Sequence, residues 1–348
     1  MSNQSCIAAL VEEYFAPLIG NPKMPISAQS PGGICGVLYG GDVYYFPYGR
    51  INENGEAPDK HTVFGLGSVT KTLTASILGQ QDYSLLTGSI NGYVPNVYEL
   101  QTNEQNATFA QLATFTAGIK PSIPPKTGNR TNQKEFQDFI NGMNPQNLPA
   151  PYFYSDSSIG FLAQILMGMQ GYSAFDQPDT IDWLRKNLLK PLHMDHTGAC
   201  TVSDTTHPLS DAFAYQDRSY IPIQYLLWVP WGAAGRVFST CWDMMIFVQA
   251  NVGITNINGN EVPESIANGM KIAQRKWASR KPGCGQGFAW AIFEFNPPII
   301  GKDGSLPGVS SYVTVCREQK LGVVMLTNMQ GVAIEAAAVG LTMELQRL

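Results

Sequence analysis

Residues typical of β-strands are concentrated at the two ends of this 348-residue chain. Near the amino terminus, GICGVLYGGDVYYFPYG contains two β-rich runs joined at Gly40-Gly41, a typical hairpin sequence. Near the carboxyl terminus, three further runs have strand character, namely QGFAWAIFEF, GVSSYVTVC and KLGVVMLTNM. This distribution predicts one antiparallel sheet that is built from both termini.

The rest of the chain has the apolar spacing of helices. The first helical pattern, SCIAALVEEYFAPLI, opens on Ser5, a suitable cap. The others are NQKEFQDFINGM, SSIGFLAQILMGMQ, TIDWLRKNLLKPL, STCWDMMIFVQANV, ESIANGMKIAQRKW and AIEAAAVGLTMEL. We therefore predict an α/β fold of the α+β sandwich type, with helices flanking the sheet and an inserted all-helical lobe. The predicted domains are 1–78 with 236–348, and 79–235, with the active site in the cleft between them.

The low charge of the chain disfavours several classes of partner. Only 14% of the residues are charged, 22 basic and 27 acidic, which gives a net charge of −5. No Lys/Arg-rich run is present, so nucleic acid is not an expected partner. No apolar run approaches the ~20 residues that cross a bilayer. We expect a monomer that acts on a small molecule.

The first residues and the cysteines give information about the cellular compartment of the protein. MSNQSCIAALVEEYF lacks the basic and apolar regions of a signal peptide, which predicts either a cytoplasmic protein or a mature form. The cysteines are scattered and form no CxxC, which disfavours a zinc knuckle. Their even number permits disulfides, and buried free thiols are at least as good an interpretation. The six are Cys6, Cys35, Cys200, Cys241, Cys284 and Cys316.

Ser68 and Lys71 lie three residues apart at the start of the helical pattern in FGLGSVTKTLTASILGQ. On a helix this spacing places the two side chains on one face. A serine hydroxyl becomes a good nucleophile when a nearby base takes its proton, and a lysine of lowered pKa is such a base. The motif alone also fits an ordinary solvated helix residue.

Two later segments add a second and a third motif to Ser-x-x-Lys. YSD at 154–156 precedes a helical pattern, and KDG at 302–304 lies at the start of a predicted strand. With Ser-x-x-Lys they resemble the three motifs of the penicillin-recognising serine hydrolases, and the tyrosine in the second motif is similar to class C β-lactamases. LATFTAG, AAGRVFSTCWDM, SSYV and LGVVMLTN also resemble segments of that family. The resemblance runs from about Ile7 to the carboxyl terminus and is weakest between Ala199 and Pro230.

The resemblance implies the roles of the catalytic side chains. Ser68 would be the acylated nucleophile, and Lys71 would assist its deprotonation. Tyr154 would face both and serve as base or proton shuttle, with its phenolate favoured by two neighbouring ammonium groups. Lys302 would lie beside Tyr154 and attract the carboxylate of the substrate.

The resemblance also implies the substrate-binding groups. The backbone N–H groups of Ser68 and Ser305 would form an oxyanion hole, in which each donor contributes ~3 kcal/mol of transition-state stabilisation. Gly304 would let the substrate approach the strand edge closely. Neither a cofactor nor a metal is implied.

Two residues depart from the family pattern. Asp156 stands where the family usually has an asparagine that binds the acyl side chain of the substrate. Asp303 stands where it usually has a threonine or serine that helps to hold the carboxylate. These anions leave the acylation chemistry in place but predict an unusual substrate preference. Asp156 has an alternative, purely structural role as the N-cap of a helix that begins at Ser157.

Other residues leave alternatives open. His193, Asp195 and His196, with His207 nearby, permit a metal site, although such histidines are more often surface turn residues. Asp156 and Asp303 could also attract a cation. The aromatic stretch YLLWVPWG at 225–232 fits either an acyl pocket or packing between lobes.

The resemblance implies a serine β-lactamase that forms an acyl-enzyme on Ser68, exported to the periplasm or secreted. A D-amino-acid peptidase or penicillin-binding protein, or a carboxylesterase, has the same fold and motifs. A non-catalytic module that binds β-lactams is an alternative of a different class.

Overall fold

The computed structural model describes residues 3–21, 26–96, 98–99, 106–120, 133–145, 147–172, 177–199, 207–224 and 232–348. Its strands are β1 (Gly32–Tyr39), β2 (Asp42–Gly49), β3 (Val63–Gly65), β4 (Ala212–Gln216), β5 (Ser219–Ile223), β6 (Phe238–Thr240), β7 (Asn256–Ile257), β8 (Asn260–Glu261), β9 (Ala278–Lys281), β10 (Cys284–Gln286), β11 (Ala291–Phe293), β12 (Ile299–Leu306), β13 (Val309–Cys316) and β14 (Leu321–Thr327).

One large antiparallel sheet has the order β2-β1-β14-β13-β12-β11-β10-β9. The first hairpin pairs with the last strand, so that Ile34 lies opposite Leu326. The turn of this hairpin uses Gly40 and Gly41, both at positive φ, as the Gly-Gly sequence predicts. Three short pairs, β3–β6, β4–β5 and β7–β8, lie outside the sheet. The predicted sheet from both termini is confirmed.

The helices are α1 (Asn3–Tyr14), α2 (Thr70–Leu78), α3 (Tyr83–Thr87), α4 (Phe109–Ala113), α5 (Gln133–Asn141), α6 (Asp156–Met169), α7 (Gln177–Leu184), α8 (Cys241–Asn251), α9 (Glu264–Ala273) and α10 (Ile334–Leu345). A π-helical turn, Arg185–Leu189, continues α7, and short 3₁₀ turns occupy Ala16–Leu18, Gly67–Val69 and Gly232–Ala234. None of the described helices has the length and apolar character that a membrane crossing requires.

The central strands are buried on both faces, because helices cover both sides of the sheet. In β1, Ile34 and Leu38 contribute to the core shared with α2, α8 and α9, whereas Cys35 and Val37 face the core with α1 and α10. Alternate residues of a strand point to opposite faces, which explains why these strands are apolar at nearly every position.

Two details differ from the sequence prediction. The segment QGFAWAIFEF forms two strands, β10 and β11, because the N–H groups of Phe288 and Ala289 donate to the carbonyls of Ala273 and Ala113 instead of to a strand. The inserted segment is not wholly helical, since it contains the hairpin β4–β5.

Of the two interpretations left open for the cysteines, the structure agrees with free thiols. The five described cysteines are free, namely Cys6, Cys35, Cys241, Cys284 and Cys316, and Cys200 lies outside the described residues.

Candidate active site

Ser68 lies in the 3₁₀ turn Gly67–Val69 between β3 and α2, and this turn packs against β12. Two glycines make the contact possible. Gly67 has φ +50°, and a Cβ there would lie 2.7 Å from the backbone nitrogen of Ser305. A Cβ on Gly304 would lie 2.1 Å from the carbonyl oxygen of Leu66. The turn that holds Ser68 is therefore in close contact with the backbone of Gly304 and Ser305.

The hydroxyl of Ser68 accepts two hydrogen bonds. Lys71 Nζ donates to Ser68 Oγ over 2.9 Å, and the Tyr154 hydroxyl donates to it over 2.7 Å. Lys71 is fully buried and also donates to the carbonyl oxygen of Ala234 over 2.5 Å. Sequence reasoning missed this carbonyl, although it lies in the segment AAGRVFSTCWDM that resembles the family.

Asp156 forms an ion pair with Lys71, with Oδ1 2.5 Å from Nζ. The alternative role of Asp156 as a helix cap is wrong, because Ser155 caps α6 by accepting a hydrogen bond from the N–H of Ser158. Asp156 is the first residue of the helix, and its carboxylate is free to reach the lysine. The Tyr154 hydroxyl is also 3.4 Å from Asp156 Oδ1.

Lys302 and Asp303 form a second ion pair, in the middle of β12. Lys302 is almost completely buried, and its Nζ lies 2.5 Å from Asp303 Oδ1 and 2.7 Å from the Asp303 carbonyl oxygen. The Asp303 side chain is 56% exposed. Burial tends to raise the pKa of Asp303, but the charge and hydrogen bond of Lys302 outweigh it and lower the pKa.

The ring of Tyr154 lies between the two ammonium groups, with Lys71 Nζ 5.2 Å and Lys302 Nζ 5.1 Å from its centroid. Its pKa is nevertheless raised, chiefly by burial and further by the carboxylates Asp156 and Asp303, which together outweigh Lys302 and the hydrogen bond to Ser68. Burial and the two carboxylates therefore oppose the phenolate that the resemblance implies, and in this structure the Tyr154 hydroxyl donates to Ser68 Oγ.

One edge of β12 is open beside these groups. β11 pairs with β12 only from Ile299 to Gly301, and no described strand continues that pairing. A cavity of about 650 Å³ adjoins the open edge, between β12 and the amino terminus of α10. Apolar Phe293, Phe295 and Ile334 line it together with Asp303 and Glu335. The cavity reaches Gly304 and Ser305, but Ser68, Lys71, Tyr154 and Lys302 are not among the residues that line it.

Of the residues considered for a metal, His196 and His207 lie together, while His193 lies in a separate groove with Arg185 and Lys190. Within the described part of the chain, no group of three or more His, Cys, Asp and Glu side chains is arranged to hold a metal ion. Most of the aromatic stretch 225–232 lies outside the described residues.

A hydrogen-bonded serine–lysine–tyrosine group with a buried lysine, beside an open strand edge, defines the class of this protein as a serine hydrolase. The sequence profile of the Beta-lactamase family matches residues 5–341. The chain belongs to the Beta-lactamase family.

Individual relatives agree with this membership. A β-lactamase of Yersinia enterocolitica is 26% identical over 367 aligned positions, which cover 92% of this chain and 88% of the relative. A β-lactamase of Escherichia coli K12 is 26% identical, with the same coverage of both chains. A class C β-lactamase structure superposes with a TM-score of 0.79 at 19% identity, covering 99% of this chain and 97% of the other. The class C enzyme of Rhodobacter sphaeroides gives the same TM-score and identity. The predicted fold and family are confirmed.

Proposed function

We propose that this protein is a serine β-lactamase that hydrolyses β-lactams through an acyl-enzyme on Ser68. The observation that supports this most directly is the double hydrogen bond to Ser68 Oγ from Lys71 and Tyr154, in a chain of the Beta-lactamase family. Both groups lie within hydrogen-bond reach of the hydroxyl, so either is placed to exchange a proton with it, which nucleophilic catalysis by serine requires.

In the proposed acylation, Ser68 Oγ bonds to the lactam carbonyl carbon and the C–N bond then breaks. Tyr154 donates to Ser68 Oγ, and in this proposal it acts as a shuttle that gives its proton to the departing nitrogen and receives the proton of Ser68. Lys71, which is paired with Asp156, donates to the same oxygen and would stabilise negative charge that develops there. The N–H groups of Ser68 and Ser305 would bind the developing oxyanion. Water then hydrolyses the ester and restores Ser68.

We further propose that the substrate preference is atypical for the family. Each active-site lysine has its own carboxylate at 2.5 Å, Asp156 for Lys71 and Asp303 for Lys302. An ammonium group that is already paired attracts a substrate carboxylate less strongly. This pairing also favours a second candidate, an esterase or D-amino-acid peptidase whose substrate has no carboxylate at that position.

Intact-mass spectrometry tests these proposals. The protein is incubated with a penicillin, a cephalosporin, a carbapenem and an uncharged activated ester, with Ser68→Ala as the matched control. A transient adduct of the mass of the β-lactam supports a β-lactamase, and a lasting adduct indicates a penicillin-binding protein. An adduct from the ester alone supports the second candidate. If Ser68→Ala forms the same adducts, or no compound reacts, the proposed acyl-enzyme is wrong.

The remaining proposals rest on the resemblance to the family. We propose export to the periplasm, where β-lactams meet their targets and hydrolysis would give antibiotic resistance. Codons for an in-frame signal sequence upstream of Met1 would support export.

We also propose that the chain has two domains, 1–78 with 236–348 and 79–235, and that the protein acts as a monomer without nucleic acid. Limited proteolysis and light scattering test these two points.

A further inference from the structure

Three of the four histidines of the chain come together next to β3, outside the active site. The ring centroids of His196 and His207 are 4.2 Å apart, and His61 stacks on His207 with 5.0 Å between centroids. The sequence pattern suggested His193 and Asp195 as members of such a group. The structure excludes His193 from the cluster and adds His61, which is distant from the others in sequence.

The two facing nitrogens have the separation of zinc ligands. His196 Nε2 and His207 Nε2 are 3.4 Å apart. Two imidazole nitrogens at ~2.05 Å from a tetrahedral zinc ion lie about 3.3 Å from each other. Two ligands at right angles, as around square-planar copper, would be only about 2.9 Å apart. The observed separation is therefore closer to that of two ligands of a tetrahedral ion than to that of two ligands at right angles.

Both histidines are attached to a well-fixed backbone. The N–H of His196 and the hydroxyl of Thr197 donate to Asp243 Oδ2, over 2.8 and 2.7 Å, and Asp243 is buried. Next to His207, the carbonyl of Pro208 accepts a hydrogen bond of 2.9 Å from the N–H of Val63 in β3. A pair of ligands held in this way loses little conformational entropy when a metal binds.

The nearby charges permit a cation. Lys60 is the closest cation in sequence to His61, and its ammonium group is held 4.4 Å over the ring of Trp242. The carboxylate of Asp243 lies behind His196, where it accepts from the backbone N–H and not from the ring.

We propose that His196 and His207 form a two-histidine zinc site whose other positions are filled by water or an external ligand. Zinc needs the lone pair of each Nε2, so the ring that donates in the present Nε2–Nε2 contact shifts its proton to Nδ1, and no proton is lost. The metal would join the segment at His196 to the segment at His207. Both segments contact the strands β3 and β6, through Val63 and through the bridge between Gly198 and Phe238. The expected effect is on stability and does not depend on catalysis.

The test is zinc titration of the full chain after removal of metals, by isothermal calorimetry and thermal unfolding. Zinc at a hundred times its Kd should raise Tm by about 4 °C, given the unfolding entropy of a chain of this length. His196→Gln and His207→Gln should each weaken zinc binding at least tenfold. The matched control is His193→Asn, which suits the left-handed φ of +57° at that position and should bind like the wild type.

Cobalt gives an independent measurement, because tetrahedral Co²⁺ with nitrogen ligands absorbs visible light without the charge-transfer band of a thiolate ligand. The site is supported if the wild type and His193→Asn each bind one equivalent of zinc and both glutamine variants fail to bind it. Absence of binding by the wild type overturns it. Binding that survives both substitutions, or that produces a thiolate band, also overturns it, since the metal would then be on cysteine. Circular dichroism of each variant shows whether it is folded.

Discussion

Replacement of Asp303 by threonine should improve the capture of substrates that carry a carboxylate. Asp303 neutralises Lys302 at 2.5 Å and is itself half exposed at the open edge of β12. A substrate carboxylate that approaches Lys302 therefore meets an anion of like charge at the same time. Removal of that anion should leave the ammonium group of Lys302 free to bind the substrate.

The magnitude follows from the separation of the charges. Two like charges ~5 Å apart repel by about 0.8 kcal/mol in water and by about 3 kcal/mol at an effective dielectric constant of 20. The Asp303 side chain is 56% exposed, which places the repulsion near the lower value, at ~1 kcal/mol. This corresponds to a fivefold change in an equilibrium constant. Asp303→Thr should lower KM for a carboxylate-bearing β-lactam about fivefold.

The assay is steady-state hydrolysis by the wild type, Asp303→Thr and the isosteric Asp303→Asn. Both variants remove the charge, and only threonine adds the hydroxyl, so their comparison separates the two effects. The value of kcat should change little, because the repulsion exists in the ground state and the transition state alike. The gain should shrink as salt is raised, and an uncharged ester should show no gain.

The reasoning fails if neither variant lowers KM for any carboxylate-bearing β-lactam. Asp303 would then point away from the bound substrate. An equal gain with the uncharged ester would also refute it, because the effect would be steric.

Three other substitutions test the site. Ser68→Ala should lower kcat for any ester or lactam by at least about 10³-fold without loss of the fold, as measured by turnover and circular dichroism; retained turnover would contradict the proposed nucleophile. Asp156→Asn removes a carboxylate that raises the pKa of Tyr154, so the alkaline loss of kcat/KM should begin at lower pH; an unchanged profile would show that Tyr154 does not transfer the proton. Gly304→Ala puts a Cβ 2.1 Å from the Leu66 carbonyl oxygen and should lower the free energy of unfolding by about 2 kcal/mol in denaturant titration. Gly235→Ala is the control, because a Cβ there meets open space; equal stability of the two variants would refute the close packing.

The sequence predicted the fold well where the pattern is local or repeated. The two β-rich runs and the Gly-Gly sequence between them specify a hairpin, and the structure has β1 and β2 joined by a turn at Gly40 and Gly41. The break between β10 and β11 was not predictable, because the N–H groups of Phe288 and Ala289 bind carbonyls from distant parts of the chain.

For the candidate site, too, the sequence predicted what its motifs specify but not the contacts that only the folded chain creates. The three motifs predicted that Ser68, Lys71, Tyr154 and Lys302 would lie together, and they do, although their roles remain predictions. Sequence alone could not decide between a cap and an ion pair for Asp156, since a carboxylate suits both. The structure decides because Ser155 occupies the cap position. His61 could not be linked with His196 and His207, because only the folded chain brings them together.

The pairing of β1 with β14 joins the two ends of the chain, and it affects when the active site can form during synthesis. A nascent chain that ends before Leu321 already contains Ser68, Lys71, Tyr154 and Lys302. It lacks the strand that links β1 to β13, and it lacks α10, which covers one face of the sheet. Contacts between residues so far apart in sequence form slowly, because a long loop must close first. Synthesis must therefore pass Thr327 before the strand order β1-β14-β13-β12 can be complete.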